Sequence, residues 1–243
     1  MTSVHNLAKI YSRRRFAFLF FSLLTSLVAA PVFGAVGLST TFMEVFLAFN
    51  ILAAVLITLF SFGTYAGLGL LALLIVARGA HALLGYEPLL ATSQGIGAFI
   101  CLLAACVMLR FILSEGTVTS ERIFAALDVH LLIGIMCGLL FCIFEEQWPG
   151  SFSFQGSSFV GSKQNLLAHT TYFSFVTLGT LGYGDIIPVS GPARALAVVE
   201  AIIGQMYLVV IVARLVSLYK TPSERADCNE PTETTPTDKI KQS

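Results

Sequence analysis

Two long runs without a charged residue, 16–43 and 45–77, fill most of the first third of the chain. A helix needs about 20 apolar residues to cross the hydrocarbon of a bilayer. Soluble domains carry about 25% charged residues. This chain of 243 residues carries 12%, against 56% hydrophobic. Runs of this length on that background predict a multi-pass integral membrane protein whose fold class is all-α. The formal net charge is zero, so no nucleic-acid partner is expected.

The first run follows Lys9, Arg13, Arg14 and Arg15, a basic cluster that the positive-inside rule keeps cytoplasmic. Residues 1–15 then form a cytoplasmic N-terminal segment. Val28-Ala29-Ala30 resembles the approach to a signal-peptide cleavage site, but the apolar run continues past it, which favours an uncleaved span. The second run would make a helix about 50 Å long, well beyond a hydrocarbon core of about 30 Å. Ser61-Phe62-Gly63-Thr64 divides it into two spans, with Arg78 and His81 snorkelling near the outer end. A fourth span is expected over 92–113, a fifth over 123–144 and a last over 193–218. That makes six in all, four of them within 16–114, with both termini cytoplasmic in a cell (plasma or inner) membrane. The tail 221–243, polar with three prolines, is expected to be disordered. The five cysteines, Cys101, Cys106, Cys137, Cys142 and Cys228, show no metal-ligand spacing and read as small hydrophobes. No cofactor is expected.

Between the fifth and last spans lies a Gly/Ser/Phe-rich loop, 150–162, then an amphipathic stretch, 165–178, too short to cross. The run Thr177-Leu178-Gly179-Thr180-Leu181-Gly182-Tyr183-Gly184-Asp185 follows. Non-helical backbone at membrane depth is tolerated only where protein or a water-filled cavity satisfies its polar groups. Gly182 and Gly184 alternate with Leu181 and Tyr183, and glycine takes positive φ cheaply. Such a strand can turn successive carbonyls to one side. A row of carbonyls facing an axis replaces the hydration shell of a potassium ion, and the Thr180 hydroxyl would extend that row inward.

In these residues the chain closely resembles the potassium channels, whose filter reads T-x-x-T-V/I/L-G-Y-G-D. Thr177, Thr180, Leu181, Gly182, Tyr183, Gly184 and Asp185 match it in order. The resemblance covers about 123–218, the expected pore domain, with Tyr172-Phe173 as the aromatic pair of the pore helix, Pro188 after the filter and Gly204 on the inner helix. It implies K⁺ sites at Thr180, Leu181, Gly182 and Tyr183, with Gly184 completing the filter and Thr177 and Asp185 supporting it. Where some members carry a glutamate on the pore helix this chain has Val176, so Asp185 turns to Tyr172 or stays solvated. One filter per chain implies a homotetramer in the lipid bilayer, with the pore helix's C-terminal dipole facing the cavity.

Glu200 is the odd residue of the last span, and an acid there marks a functional site by default. Gln205, five positions on, lies about 140° round the helix. If Gln205 faces the cavity, Glu200 faces back towards the pore helix or fifth span, bonding Ser174, Thr170 or His169 or titrating beside the filter. Asp128 and His130 read as interface groups or as a proton relay. Glu145 and Glu146 read as a cation-attracting mouth or a solvated rim. Gly204 is either a hinge or a close-packing contact, with Leu208, Val212 and Val216 below it as an apolar gate.

The function expected is passive K⁺-selective conduction without catalysis. The fourth span holds only Arg110, at its inner end, so steep voltage gating is not expected. The alternatives are a pore-forming subunit of an ion-coupled K⁺ uptake system and a weakly selective cation channel.

Overall fold

A computed structural model describes residues 14–29, 76, 87–114, 119–154, 156–158 and 166–217. The segment before 14, the two spans expected over 45–77 and the tail 221–243 lie outside the described residues. The described elements are α1 (14–29), α2 (Glu87–Leu113), α3 (Ser120–Gln147), β1 (Phe152–Phe154), β2 (Ser157–Ser158), α4 (Leu166–Leu178), β3 (Ile186–Pro188) and α5 (Gly191–Ser217). Among the described residues three helices are long and apolar enough to cross a membrane: Ala91–Leu113 within α2, then α3 and α5. They coincide with the fourth, fifth and last expected spans. Each of the latter two begins a few residues earlier than expected, because a helix continues past the hydrocarbon into the headgroups. With 13 residues, α4 is about 20 Å long and cannot cross.

The wall between the two halves is α3. Ala125, Val129, Leu132 and Leu139 recur at helical spacing. They pack with Phe16, Leu19 and Leu23 of α1 and with Ala98, Cys101, Ala104, Met108 and Ile112 of α2. Its other side turns Cys137 and Phe141 towards Phe152, Phe173, Ile186, Ala193 and Ala197. Lipid tails are as apolar as these side chains, so close dispersion contact rather than water exclusion holds such helices together. Small residues bring backbones close, and α3 offers two, Gly134 and Gly138, one turn apart. A Cβ on Gly138 would lie 2.8 Å from the Thr171 Cα of α4, and one on Gly134 would lie 2.7 Å from the Phe175 ring. This small-xxx-small pair docks the pore helix. The Gly-x-x-x-Gly spacing is legible in the sequence and is absent from the reading above.

The Gly/Ser/Phe loop is partly a hairpin, so the described chain is mostly helical but not purely so. Strands β2, β1 and β3 form a three-stranded antiparallel sheet, in which Phe152 pairs with Pro188, Ser153 with Ile187 and Phe154 with Ile186. Apolar and polar residues alternate along Phe152-Ser153-Phe154, the strand period, and Gly156 turns the chain at φ 83°. The hairpin is fastened to α3 by Glu145. Its Oε1 accepts the Gly150 N–H at 2.8 Å and its Oε2 accepts the Phe152 N–H at 2.9 Å. Glu145 is only 4% exposed, and Glu146 accepts from Gln94 Nε2 at 3.1 Å. Glu145 is therefore not the solvated rim or open mouth that the sequence suggested, while Glu146 stays half-buried beside it. Hydrogen bonds to a charged acceptor contribute about 1.5–3 kcal/mol each. Glu145→Ala orphans both donors, and we expect a loss of about 2–4 kcal/mol in detergent thermal unfolding, with Glu145→Gln intermediate.

Candidate ion-conduction site

The last turn of α4 hands its carbonyls to the run that follows. Gly179 N–H donates to Phe175 O (2.9 Å), Thr180 N–H to Thr177 O (3.0 Å), and Leu181 N–H to Val176 O (2.9 Å). The amides of these residues are thus turned back onto the pore helix. The backbone takes φ of 57° at Thr180, 58° at Gly182 and 76° at Gly184. Leu181 and Tyr183 between them are not in that region, so left-handed residues alternate with ordinary ones. Two of the three are glycines, for which this region is cheap. Thr180 is the one described non-glycine residue with positive φ, and sparsely populated backbone of this kind clusters at functional sites.

The run is uncovered. Leu181 is 58% and Tyr183 67% exposed, and a Cβ on Gly182 or Gly184 would meet nothing within 4 Å. Behind it the packing is dense. Phe173 of α4 meets Phe141 of α3 and Phe152 of β1 edge to face, with centroids at 5.1 and 5.3 Å, an arrangement that favours aromatic pairs beyond their area. Strand β3 begins directly after Asp185 and is held in the sheet, so the run is anchored at both ends. The Tyr172 hydroxyl lies beside Asp185. Desolvation first, and then this acid, holds the phenol above its ordinary pKa.

Glu200 lies on the α5 face that meets α4 and α3, 1% exposed. Its Oε1 contacts the Ser174 hydroxyl, one of the three partners considered from the sequence. Gly204, one turn further along α5, faces the last residue of the pore helix. A Cβ there would lie 2.5 Å from Leu178 Cδ1 and 3.2 Å from its Cγ, and Leu178 is itself 1% exposed. This geometry is a close-packing contact, and α5 runs unbroken through it. We expect Gly204→Ala to destabilise the fold by about 1–3 kcal/mol through overpacking. Leu178→Ala in the same chain should recover part of that loss in thermal unfolding, which a hinge defect would not allow.

Gln205, Leu208, Val212 and Val216 all lie on the uncovered side of α5, away from α3 and α4. Asp128 is fully buried and neither of its oxygens has a hydrogen-bond partner among the described residues. His130 stacks on Tyr207 at 6.1 Å. The described residues thus show no hydrogen bond of a relay between Asp128 and His130.

Comparison with known proteins falls on this half of the chain. Residues 132–221 match the family described as ion channel. Over 76 residues the chain is 36% identical to Two-pore potassium channel 4 of Arabidopsis thaliana, a stretch that is 31% of this chain and 27% of that protein. Over this region the chain is similar to ion channels, a potassium channel among them. The chain is also 34% identical over 86 residues to Protein LctB of Geobacillus stearothermophilus, covering 35% of this chain and 62% of that one. With Protein LctB of Bacillus caldotenax it shares 28% identity over 127 residues, 49% of this chain and 93% of the relative. The chain therefore spans under two thirds of the length of the first two relatives. No solved structure shows a significant match.

Proposed function

We propose that the chain is one subunit of a homotetrameric channel that conducts K⁺ passively and in preference to Na⁺. The observation that carries this reading is the left-handed alternation at Thr180, Gly182 and Gly184, set directly beyond a short helix that cannot cross the membrane. Four such strands around an axis present stacked rings of carbonyls from Thr180 to Tyr183, which substitute for the water around a dehydrated K⁺. Asp185 and Tyr172 brace the outer end, and Thr177 accepts at the inner end.

The assembly follows from the same exposure. One strand cannot surround an ion, and the uncovered run together with the apolar face of α5 (Val198, Ile202, Met206, Val209) needs neighbours or lipid. Residues 123–218 make the pore. Both termini lie in the cytoplasm, and the lining of the inner mouth falls to Gln205, Leu208, Val212 and Val216. Opening depends only weakly on voltage, since Arg110 is the lone basic residue of α2 and sits in its last turn.

Purified protein in K⁺-loaded liposomes tests the reading, with efflux followed under a gradient and native mass spectrometry on the same sample. K⁺ flux from a tetramer, with Na⁺ far slower, is the expected result. Equal Na⁺ flux would instead make it a weakly selective cation channel, and flux that requires a second coupled ion would make it part of an uptake system.

A further inference from the structure

Ser174 is fully buried and stands between two oxygens. Its Oγ lies 2.7 Å from the carbonyl of Gly134 on α3 and also contacts Glu200 Oε1 on α5. A serine hydroxyl has one proton and two lone pairs, and a peptide carbonyl has none to give. The contact with Gly134 therefore consumes the serine proton, because two lone-pair oxygens at that distance would otherwise repel. The contact with Glu200 then needs a proton from the other side, and only the carboxyl can supply it. We propose that Glu200 is held as the neutral carboxylic acid, a positioning residue whose proton fastens the pore helix to α3 and α5.

Burial argues the same way. An ionised carboxylate away from water must be paired or richly hydrogen-bonded. Among the described residues Glu200 Oε2 has no hydrogen-bond partner and faces no basic group. From α3 the ionisable neighbour is the Cys137 thiol, and from α4 the neighbour is the Ser174 hydroxyl. The chain of donors runs from the Glu200 carboxyl to Ser174 Oγ and from the Ser174 hydroxyl to the Gly134 carbonyl. It links the three helices around the base of the filter within a single subunit. The Gly134 carbonyl is within reach because α3 meets α4 there without an intervening side chain. Removing the proton leaves one hydrogen for two contacts, so one of the two must open.

The test has a spectroscopic arm that needs no conduction and a flux arm that rests on the proposed function. In the infrared difference spectrum of purified wild type against Glu200→Gln at neutral pH, the carbonyl stretch of one protonated carboxyl should be lost in the variant. Ser174→Ala, which leaves that carboxyl in place but removes its acceptor, should shift the band. A difference spectrum containing only carboxylate stretches, or a band unmoved by Ser174→Ala, overturns the proposal.

In liposomes Glu200→Gln, whose amide N–H can donate to Ser174 in the same way, should keep wild-type discrimination of K⁺ over Na⁺. Glu200→Ala should lose about tenfold, the scale of one hydrogen bond. Equal damage in both variants, or none in the alanine variant, also overturns it. A wild-type protein that fails to conduct would defeat the channel reading and leave the protonation assignment to the spectrum.

Discussion

Gly182→Ala should abolish discrimination between K⁺ and Na⁺ while leaving the subunits assembled. No atom lies within 4 Å of the new methyl, so the substitution meets no steric obstacle within the subunit, and its whole cost is conformational. Gly182 sits at φ 58°, where a residue bearing a Cβ costs roughly 1–2 kcal/mol more than glycine. That cost recurs in every subunit around the axis, and relaxing it rotates a peptide plane and withdraws a carbonyl from the row. Thr180 holds the same region at φ 57° despite its Cβ, so the run already carries one such strain next door. Selectivity should therefore fail before assembly does. Flux of K⁺ and Na⁺ from liposomes, beside native mass spectrometry, measures both. Unchanged selectivity in an intact tetramer would rule out the carbonyl row as the ion site.

Gly138→Ala should unseat the pore helix from α3. Its methyl would lie 2.8 Å from the Thr171 Cα and 2.9 Å from the Thr171 Oγ1. Backbone cannot rotate away as a side chain can, so α4 must move bodily off α3. Overpacking of this kind costs about 1–3 kcal/mol and the upper end applies here, with the filter displaced along with its helix. Gly95→Ala in α2 is the matched control, because nothing lies within 4 Å of its methyl and alanine is the better helix former by about 1 kcal/mol. Thermal unfolding in detergent should fall for the first variant and hold or rise for the second. Equal shifts in both would mean that α4 does not rest on Gly138.

Much of the pore was legible because its demands are written in backbone chemistry. Alternating glycines announce backbone in the left-handed region, and Gly182 and Gly184 both adopt it. Helices α2, α3 and α5 were legible for a related reason, since length and lack of charge suffice to mark a span. Glu200 stood out as an acid in an apolar helix, and 3.6-residue geometry turned it towards the pore helix. The outer hairpin was not legible. Three residues of alternation in Phe152-Ser153-Phe154 are too few to separate a strand from a loop, and its pairing with Ile186–Pro188 depends on how the chain returns after the filter. Glu145 misled for the same reason. Its position at the end of α3 looked exposed until the hairpin folded over it and presented two amide donors. Gly204 stayed ambiguous because a hinge and a tight contact both ask for glycine, and only the position of Leu178 separates them.

The seat of α4 on α3 has a mechanical consequence. Most joints between helices contain long side chains that swing between rotamers and absorb small displacements. At Gly138 the pore helix rests on bare backbone, which leaves no play in the joint. A tilt or translation of α3, whether driven by α2 on its far side or by the thickness of the surrounding bilayer, passes into α4 undamped. From α4 it reaches the filter through amides bonded to the last turn of that helix. The helix that walls off the pore is thus also its drive shaft.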